Sequence, residues 1–259
     1  MLETINYKLA LLLVCACHQA YNQFKDPAGR FIIPGGYRYV TSFSGKAYGA
    51  TLETFGYLIE SEDAIIIAFR GTTSHADTIS DLIASQTPFP WLDNGGNTHL
   101  GFTEIYATAR MQIIQALTKC DSSKKLIITG HSLGGALATL CALDLAYNTK
   151  FAPPIVYTYG APRVGDPSFA AAYNQKIAFN HRIVIESDLI PLIPPPLYKL
   201  PSQPKVYHYL HVKGGFALHF LTDSLSKNHA LINYFTVIAK YESEYAIYLC
   251  NQVPAICPT

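Results

Sequence analysis

Residues 125–135 read Lys-Leu-Ile-Ile-Thr-Gly-His-Ser-Leu-Gly-Gly. The run Leu126-Ile127-Ile128-Thr129 is short, apolar and rich in β-branching, as a strand covered on both faces requires. Gly134 to Tyr147, which follows, is apolar nearly all round and so belongs inside, between a sheet and other helices. Between the two lies Gly130-His131-Ser132-Leu133-Gly134. A serine at the apex of so sharp a strand-to-helix turn sits in strained backbone geometry, and a Cβ on either flanking glycine would collide with neighbouring chain. This context sets the segment apart from an ordinary Gly-rich turn and makes Ser132 the candidate nucleophile.

Outward from this turn, short β-branched runs alternate with helical stretches, the pattern of a mainly parallel sheet with helices on its faces. Strands are predicted from Tyr37 to Phe43, Phe55 to Glu60, Ala64 to Phe69, Leu126 to Thr129, Ile155 to Tyr159, Arg182 to Glu186 and Val206 to Val212, the last on period-two alternation. A helix is predicted from Phe102 to Cys120, where Ile105, Ala109, Ile113 and Leu117 share one face. The apolar run Leu9 to Ala16 follows Lys8 as a signal-peptide core would, yet Glu3 stands in the would-be basic region and no clean small-residue cleavage site follows. The run is also too short to span a bilayer. It is read as a buried first helix, with Ala10, Leu13, Ala16, Cys17, Ala20 and Tyr21 at helical spacing. The expected fold class is α/β, with residues 1–259 as one domain built on a central, mostly parallel β-sheet flanked by helices. Ligands of such sheets bind at the carboxyl ends of the strands. Thr73 to Thr98, Ile190 to Pro204 and Gly214 to Asn228 resist the scheme, and irregular segments of this kind are where function concentrates.

With 259 residues, 49% hydrophobic and 14% charged, the chain can bury one large core. A formal net charge of +1 gives no field to recruit nucleic acid, so binding falls to a shaped pocket or an apolar surface. No obligate protein partner is implied. The six cysteines are too few for a disulfide scaffold and lack the spacing with histidines of a zinc site, so neither metal nor cofactor is predicted. Cys250 and Cys257, in a Pro-containing tail, could close a short loop; Cys15, Cys17 and Cys141 sit in apolar runs that suit free buried thiols.

A serine hydroxyl needs a base to take its proton and a carboxylate to orient that base. On a strand-serine-helix elbow the chain order is serine, acid, histidine. Asp188 follows the strand Arg182 to Glu186 and precedes Leu189-Ile190-Pro191, whereas Asp166, before Pro167, has the form of a turn or helix cap. With Asp188 as the acid, His18, His75, His99, His131 and His181 precede it and drop out. His208 and His211 lie in a strand pattern, where a structural role fits better. His219 and His229 remain, the latter at a loop-to-helix boundary after Ser226-Lys227-Asn228. An oxyanion needs preorganised donors. The Leu133 N–H follows the nucleophile, and Phe69-Arg70-Gly71-Thr72 is placed to supply the second from Thr72, by N–H or hydroxyl. A plain β-turn role for Thr72 is the alternative.

Together, Phe69-Arg-Gly-Thr72, His99-Leu-Gly-Phe102, Gly130-His-Ser-Leu-Gly-Gly135, Tyr159-Gly-Ala-Pro-Arg-Val-Gly165 and Arg182-Ile-Val followed by Asp188-x-Ile-Pro191 resemble the fungal-type, or class 3, lipases of the α/β-hydrolase superfamily. The likeness spans roughly residues 15 to 240. It implies a triad of Ser132, Asp188 and His229, the last favoured over His219 because a tyrosine, Tyr234, follows it. It also implies an oxyanion hole of Thr72 and Leu133, a lid over roughly residues 74–90, an acyl groove lined by Ile190 and Ile193, and a pair near the oxyanion loop, Tyr21 and Asp81. Thr78 stands where fungal members often carry a lid tryptophan, and their disulfide pattern is not recognisable.

The expected reaction is acyl transfer to Ser132 with His229 as base and then acid, and the expected enzyme is a triacylglycerol lipase working at a lipid–water interface. Phospholipase A1 and feruloyl or short-chain esterase share this chemistry, and a lipid-binding homologue without activity would have lost at least one of these groups. Within Ser74 to Ile83, the residues Ile79, Leu82 and Ile83 recur at helical spacing opposite Asp77 and Asp81, as in a short amphipathic lid whose Ile79 and Leu82 meet substrate. An insoluble ester points to an extracellular location, with the cytoplasm as the alternative.

Overall fold

The computed structural model describes residues 5–46, 51–72, 85–200, 204–222, 224–253 and 255–258. In chain order these form α1 (Tyr7–Lys25), β1 (Arg38–Lys46), β2 (Leu52–Glu60), β3 (Ala64–Phe69), β4 (Gln86–Pro88), β5 (Asn97–His99), α2 (Leu100–Leu117) and β6 (Lys125–His131). Then come α3 (Leu133–Asn148), β7 (Ile155–Tyr159), α4 (Pro167–Lys176), β8 (Asn180–Ile185), β9 (Leu197–Lys199), β10 (Val206–His208), β11 (Gly215–Leu218), α5 (Leu225–Asn228), α6 (Leu231–Ala239) and α7 (Ser243–Gln252).

Seven strands form one sheet in the order β1-β2-β3-β6-β7-β8-β11. The β1–β2 and β2–β3 pairs are antiparallel and the four pairs that follow are parallel. Strand β3 explains why the centre reads as an unbroken apolar run. Ile65, Ile67 and Phe69 enter the core on one face and Ala64, Ile66 and Ala68 the core on the other, so both phases of the two-residue period are apolar. The first face is covered by α2 and α3, the second by α1 and α6. In α1, Ala10, Leu13, Ala16, Cys17 and Ala20 are fully buried, as their spacing predicts, and the Asn6 side chain caps the helix by accepting from the Leu9 N–H at 3.0 Å. Apolar α3 is interrupted by Asp144. Its buried carboxylate is offset by Tyr106 Oη at 2.6 Å and by Arg110 Nε at 2.7 Å. Among the described residues no helix is long and apolar enough to cross a membrane.

Two expectations are corrected at the far edge. Val206 to Val212 is not a strand of the main sheet: Val206–His208 pairs with β9 in a two-stranded ribbon, and Leu210 makes an isolated antiparallel bridge to Gly165. Its alternation is real, but Tyr207 and Tyr209 fill a small satellite cluster. The last sheet strand is instead β11, parallel to β8. Cys250 and Cys257 form a disulfide, whereas Cys15, Cys17 and Cys141 are free and buried.

Neighbouring strands β3, β6, β7 and β8 run parallel, so their carboxyl ends lie side by side. Those ends lead directly into Arg70-Gly71-Thr72, Ser132, Gly160 and the turn before Asp188.

Candidate active site

Ser132 lies between β6 and α3 with φ 58° and ψ −131°, a region that residues with a side chain seldom adopt. Its N–H donates to the Tyr159 carbonyl at 2.9 Å, which ties the turn to the end of β7. The flanking glycines are needed as predicted. A Cβ on Gly130 would come within 2.1 Å of the Gly134 carbonyl oxygen, and one on Gly134 within 2.6 Å of the Phe69 and Arg70 carbonyls. Leu133 opens α3, so its N–H has no acceptor within the helix.

The loop after β3 passes directly under this turn. A Cβ on Gly71 would lie 2.9 Å from the Ser132 Cβ and 2.8 Å from the His131 carbonyl oxygen, so half-buried Thr72 follows a backbone in contact with the candidate nucleophile. Arg70 fixes the loop from within. It is 1% exposed and donates to the Thr54 carbonyl at 2.6 Å, the Gly71 carbonyl at 2.7 Å and Glu53 at 2.6 Å, with its guanidinium over the rings of Phe24 and Phe55.

Asp188 is 2% exposed, and its carboxylate accepts three hydrogen bonds. His229 Nδ1 donates to Oδ2 at 2.7 Å, the Tyr234 hydroxyl to the same oxygen at 2.6 Å, and the Ile190 N–H to Oδ1 at 2.9 Å. His229 Nε2 is buried with no hydrogen-bond partner among the described residues, so the bond to Ser132 Oγ is not made here. The pieces close around Gly160, whose φ of +57° is natural to glycine: a Cβ there would lie 2.7 Å from Asp188 Oδ2 and 2.9 Å from both His229 Cε1 and Tyr234 Oη.

Of the two histidines left open by chain order and strand pattern, the structure brings only His229 to Asp188. His219 is exposed and pairs with Glu186 at 2.7 Å. His211 Nε2 donates to the Pro191 carbonyl at 2.7 Å, and Asp166 caps α4 by accepting from the Phe169 N–H at 2.8 Å, both structural as expected. Ile190 is buried and Ile193 half-buried on the segment leaving Asp188; Arg163 pins that segment through the Leu192 and Pro194 carbonyls. Ile79, Asp81 and Leu82 lie outside the described residues. The far end of the expected lid is anchored, since Gln86, Thr87 and Pro88 pair with His99, Thr98 and Asn97.

Four contributors escape a linear reading. Tyr234, suggested only through the likeness, proves to be a second donor to Asp188. Arg70 and Gly160 stand within sequence motifs that by themselves give them no role. His131, dismissed by chain order, packs its ring against that of His229 at 4.5 Å. No signal short of three-dimensional proximity marks Gly160 or His131.

A mostly parallel sheet with a serine elbow after β6 and an acid after β8 defines an α/β-hydrolase, and solved structures agree: the lipase from Rhizopus microsporus var. chinensis superposes with a TM-score of 0.66 at 26% identity, over 85% of this chain and 76% of that one. Within that superfamily, the model of the class 3 lipases matches residues 66–198, and the chain belongs to that family. A lipase of Rhizomucor miehei is 37% identical over 142 residues, covering 52% of this chain and 39% of that protein. The secreted mono- and diacylglycerol lipase 2 of Gibberella zeae is 31% identical over 169 residues, covering 54% and 41%. The chain therefore matches less than half the length of these curated relatives.

Proposed function

We propose that this chain is a serine carboxylic-ester hydrolase, and in particular a triacylglycerol lipase, with Ser132, His229 and Asp188 as its triad. The observation that carries this reading is the state of His229: Nδ1 is committed to Asp188 at 2.7 Å, and Nε2 is buried with no partner among the described residues. A carboxylate at Nδ1 fixes the proton there and leaves the lone pair on Nε2. Ser132 Oγ attacks the ester carbonyl while Nε2 takes its proton. The oxyanion that forms is held by the Leu133 N–H and by Thr72, and the imidazolium returns the proton to the departing alcohol. Water then gives its proton to Nε2, attacks the acyl-enzyme and releases the acid. No cofactor enters any step.

Substrate class follows from the surroundings. Ile190 and Ile193 lie on the segment leaving the acid, where the likeness to class 3 lipases puts the acyl groove, and Leu189 and Leu192 of that same segment are exposed. A rim of large apolar side chains suits an insoluble ester better than a dissolved one. The name of the Gibberella relative, a secreted mono- and diacylglycerol lipase, supports glyceride esters and an extracellular site of action, with which the Cys250–Cys257 disulfide agrees. The test is a chain-length series of p-nitrophenyl esters beside emulsions of triolein and phosphatidylcholine. Release of oleate from triolein at a rate above that from phosphatidylcholine is expected. Hydrolysis confined to acetate and butyrate would make the chain an esterase, and faster attack on phosphatidylcholine a phospholipase.

A further inference from the structure

His131 ends β6, one residue before Ser132, with its side chain buried. A buried imidazole must satisfy both ring nitrogens, and here the partners dictate where its proton sits. Nε2 lies 2.9 Å from the backbone carbonyl oxygen of His229. A carbonyl only accepts, so Nε2 carries the hydrogen. Nδ1 is then bare and accepts from the Tyr21 hydroxyl at 2.9 Å. The Tyr21 hydroxyl is also packed closely against Gly71, where an added Cβ would come within 2.4 Å of it. The result is a one-way relay, Tyr21 O–H to His131 Nδ1 and His131 Nε2–H to the His229 carbonyl, with Gly71 packed against its first member.

We propose that His131 is a positioning residue for the base, one that grips His229 by its main chain and ring face and, through Tyr21, couples it to the loop that carries Thr72. The inference rests on the triad reading given above. His229 sits at the junction of α5 and α6 and is the C-cap of the four-residue α5, so its own helix does little to fix it. Asp188 orients the ring through Nδ1. His131 supplies what Asp188 cannot: a bond to the carbonyl of the same residue and a near-parallel ring at 4.5 Å and 27°. Base and oxyanion donor are thereby held to a single buried side chain, so a shift of one is passed to the other.

His131 cannot itself be the base. Its protonated nitrogen faces a carbonyl and its bare one is occupied by Tyr21. Burial, reinforced by the neighbouring His229, also holds its pKa well below the usual 6.5, so it remains neutral when its neighbour takes the serine proton.

The test compares wild type with His131→Phe and His131→Gln. Phenylalanine keeps the ring and the stack but loses both polar bonds; glutamine can set an amide N–H near the position of Nε2. With p-nitrophenyl butyrate, His131→Phe should lower kcat by roughly 10- to 100-fold with KM within about threefold, the signature of a displaced base rather than a damaged pocket. His131→Gln should recover most of the loss. In wild type, ¹⁵N-histidine NMR should find His131 with hydrogen on Nε2 and a bare Nδ1, a readout that holds even if His131→Phe does not fold. A folded His131→Phe with kcat within threefold of wild type, or an Nδ1–H tautomer, would overturn the proposal. Fluorophosphonate labelling separates this from the triad reading. If wild type is labelled at Ser132 and His131→Phe is labelled as fast, only the role of His131 fails. If wild type is neither labelled nor active, the triad fails and this role with it.

Discussion

Gly160→Ala tests the geometry of the site with a single methyl group. At φ +57° an alanine pays roughly 1–2 kcal/mol for the left-handed backbone. The added carbon would also stand 2.7 Å from Asp188 Oδ2 and 2.9 Å from His229 Cε1 and Tyr234 Oη, where ordinary contact begins at 3.4 Å. The shortfalls, 3.4 − 2.7 and 3.4 − 2.9, are 0.7 and 0.5 Å, and all three obstacles are side chains of the site itself. Relief therefore comes by pushing Asp188, His229 and Tyr234 apart, at an overpacking cost of about 1–3 kcal/mol. A misplacement approaching 1 Å in a catalytic base costs about 10²-fold in rate. Gly36→Ala is the matched control, since it shares a positive φ of +82° but meets nothing within 4 Å. We expect Gly160→Ala to be about 2–5 kcal/mol less stable in urea unfolding and to lose about 10²-fold in kcat on p-nitrophenyl butyrate. Gly36→Ala should lose only the backbone term and keep its kcat. A folded Gly160→Ala with kcat within threefold of wild type would refute the packing of Asp188 against His229.

Two further predictions concern groups around the site. Tyr234→Phe removes the 2.6 Å donor to buried Asp188 Oδ2 and strands the Ile185 N–H, so a stability loss of about 1.5–3 kcal/mol and a tenfold or so fall in kcat should appear in parallel melts and ester assays. His99 caps α2 through Nδ1 and stacks on Phe102, and burial lowers its pKa from 6.5 to about 4. Between those values the unfolded chain takes up a proton that the folded chain refuses, so stability falls as pH drops through this window, by on the order of 3 kcal/mol in full. His99→Asn, which keeps a capping acceptor, should flatten the decline of Tm between pH 6.5 and 4; an unchanged slope would mean that His99 does not contribute.

The parts of the fold that were legible are those where one rule dominates. Strands β3 and β6 and helix α3 are covered on all sides, so their apolar runs admit no other reading. Gly130 and Gly134 announced the elbow because backbone lies where a Cβ would stand. Asp166 was recognisable as a cap because Pro167 cannot donate an N–H. Strand β11 was hidden because Gly-Phe-Ala-Leu on a sheet edge is too short to display a period. Val206 to Val212 misled because an alternating pattern reports a two-faced strand, not the sheet to which it belongs. Chain order reduces the histidines to the four that follow the acid, and the strand pattern around His208 and His211 narrows them to His219 and His229. Neither carries information about which residue braces the base from behind, the place that His131 takes.

Covalent capture of the nucleophile addresses the central claim most directly. The intact protein is treated with a fluorophosphonate, digested, and the modified peptide identified by mass spectrometry, with Ser132→Ala alongside. A single adduct on Ser132, with loss of ester hydrolysis in step with labelling and neither adduct nor turnover in Ser132→Ala, is the predicted result. An adduct on another residue, or hydrolysis that survives in Ser132→Ala, would contradict it.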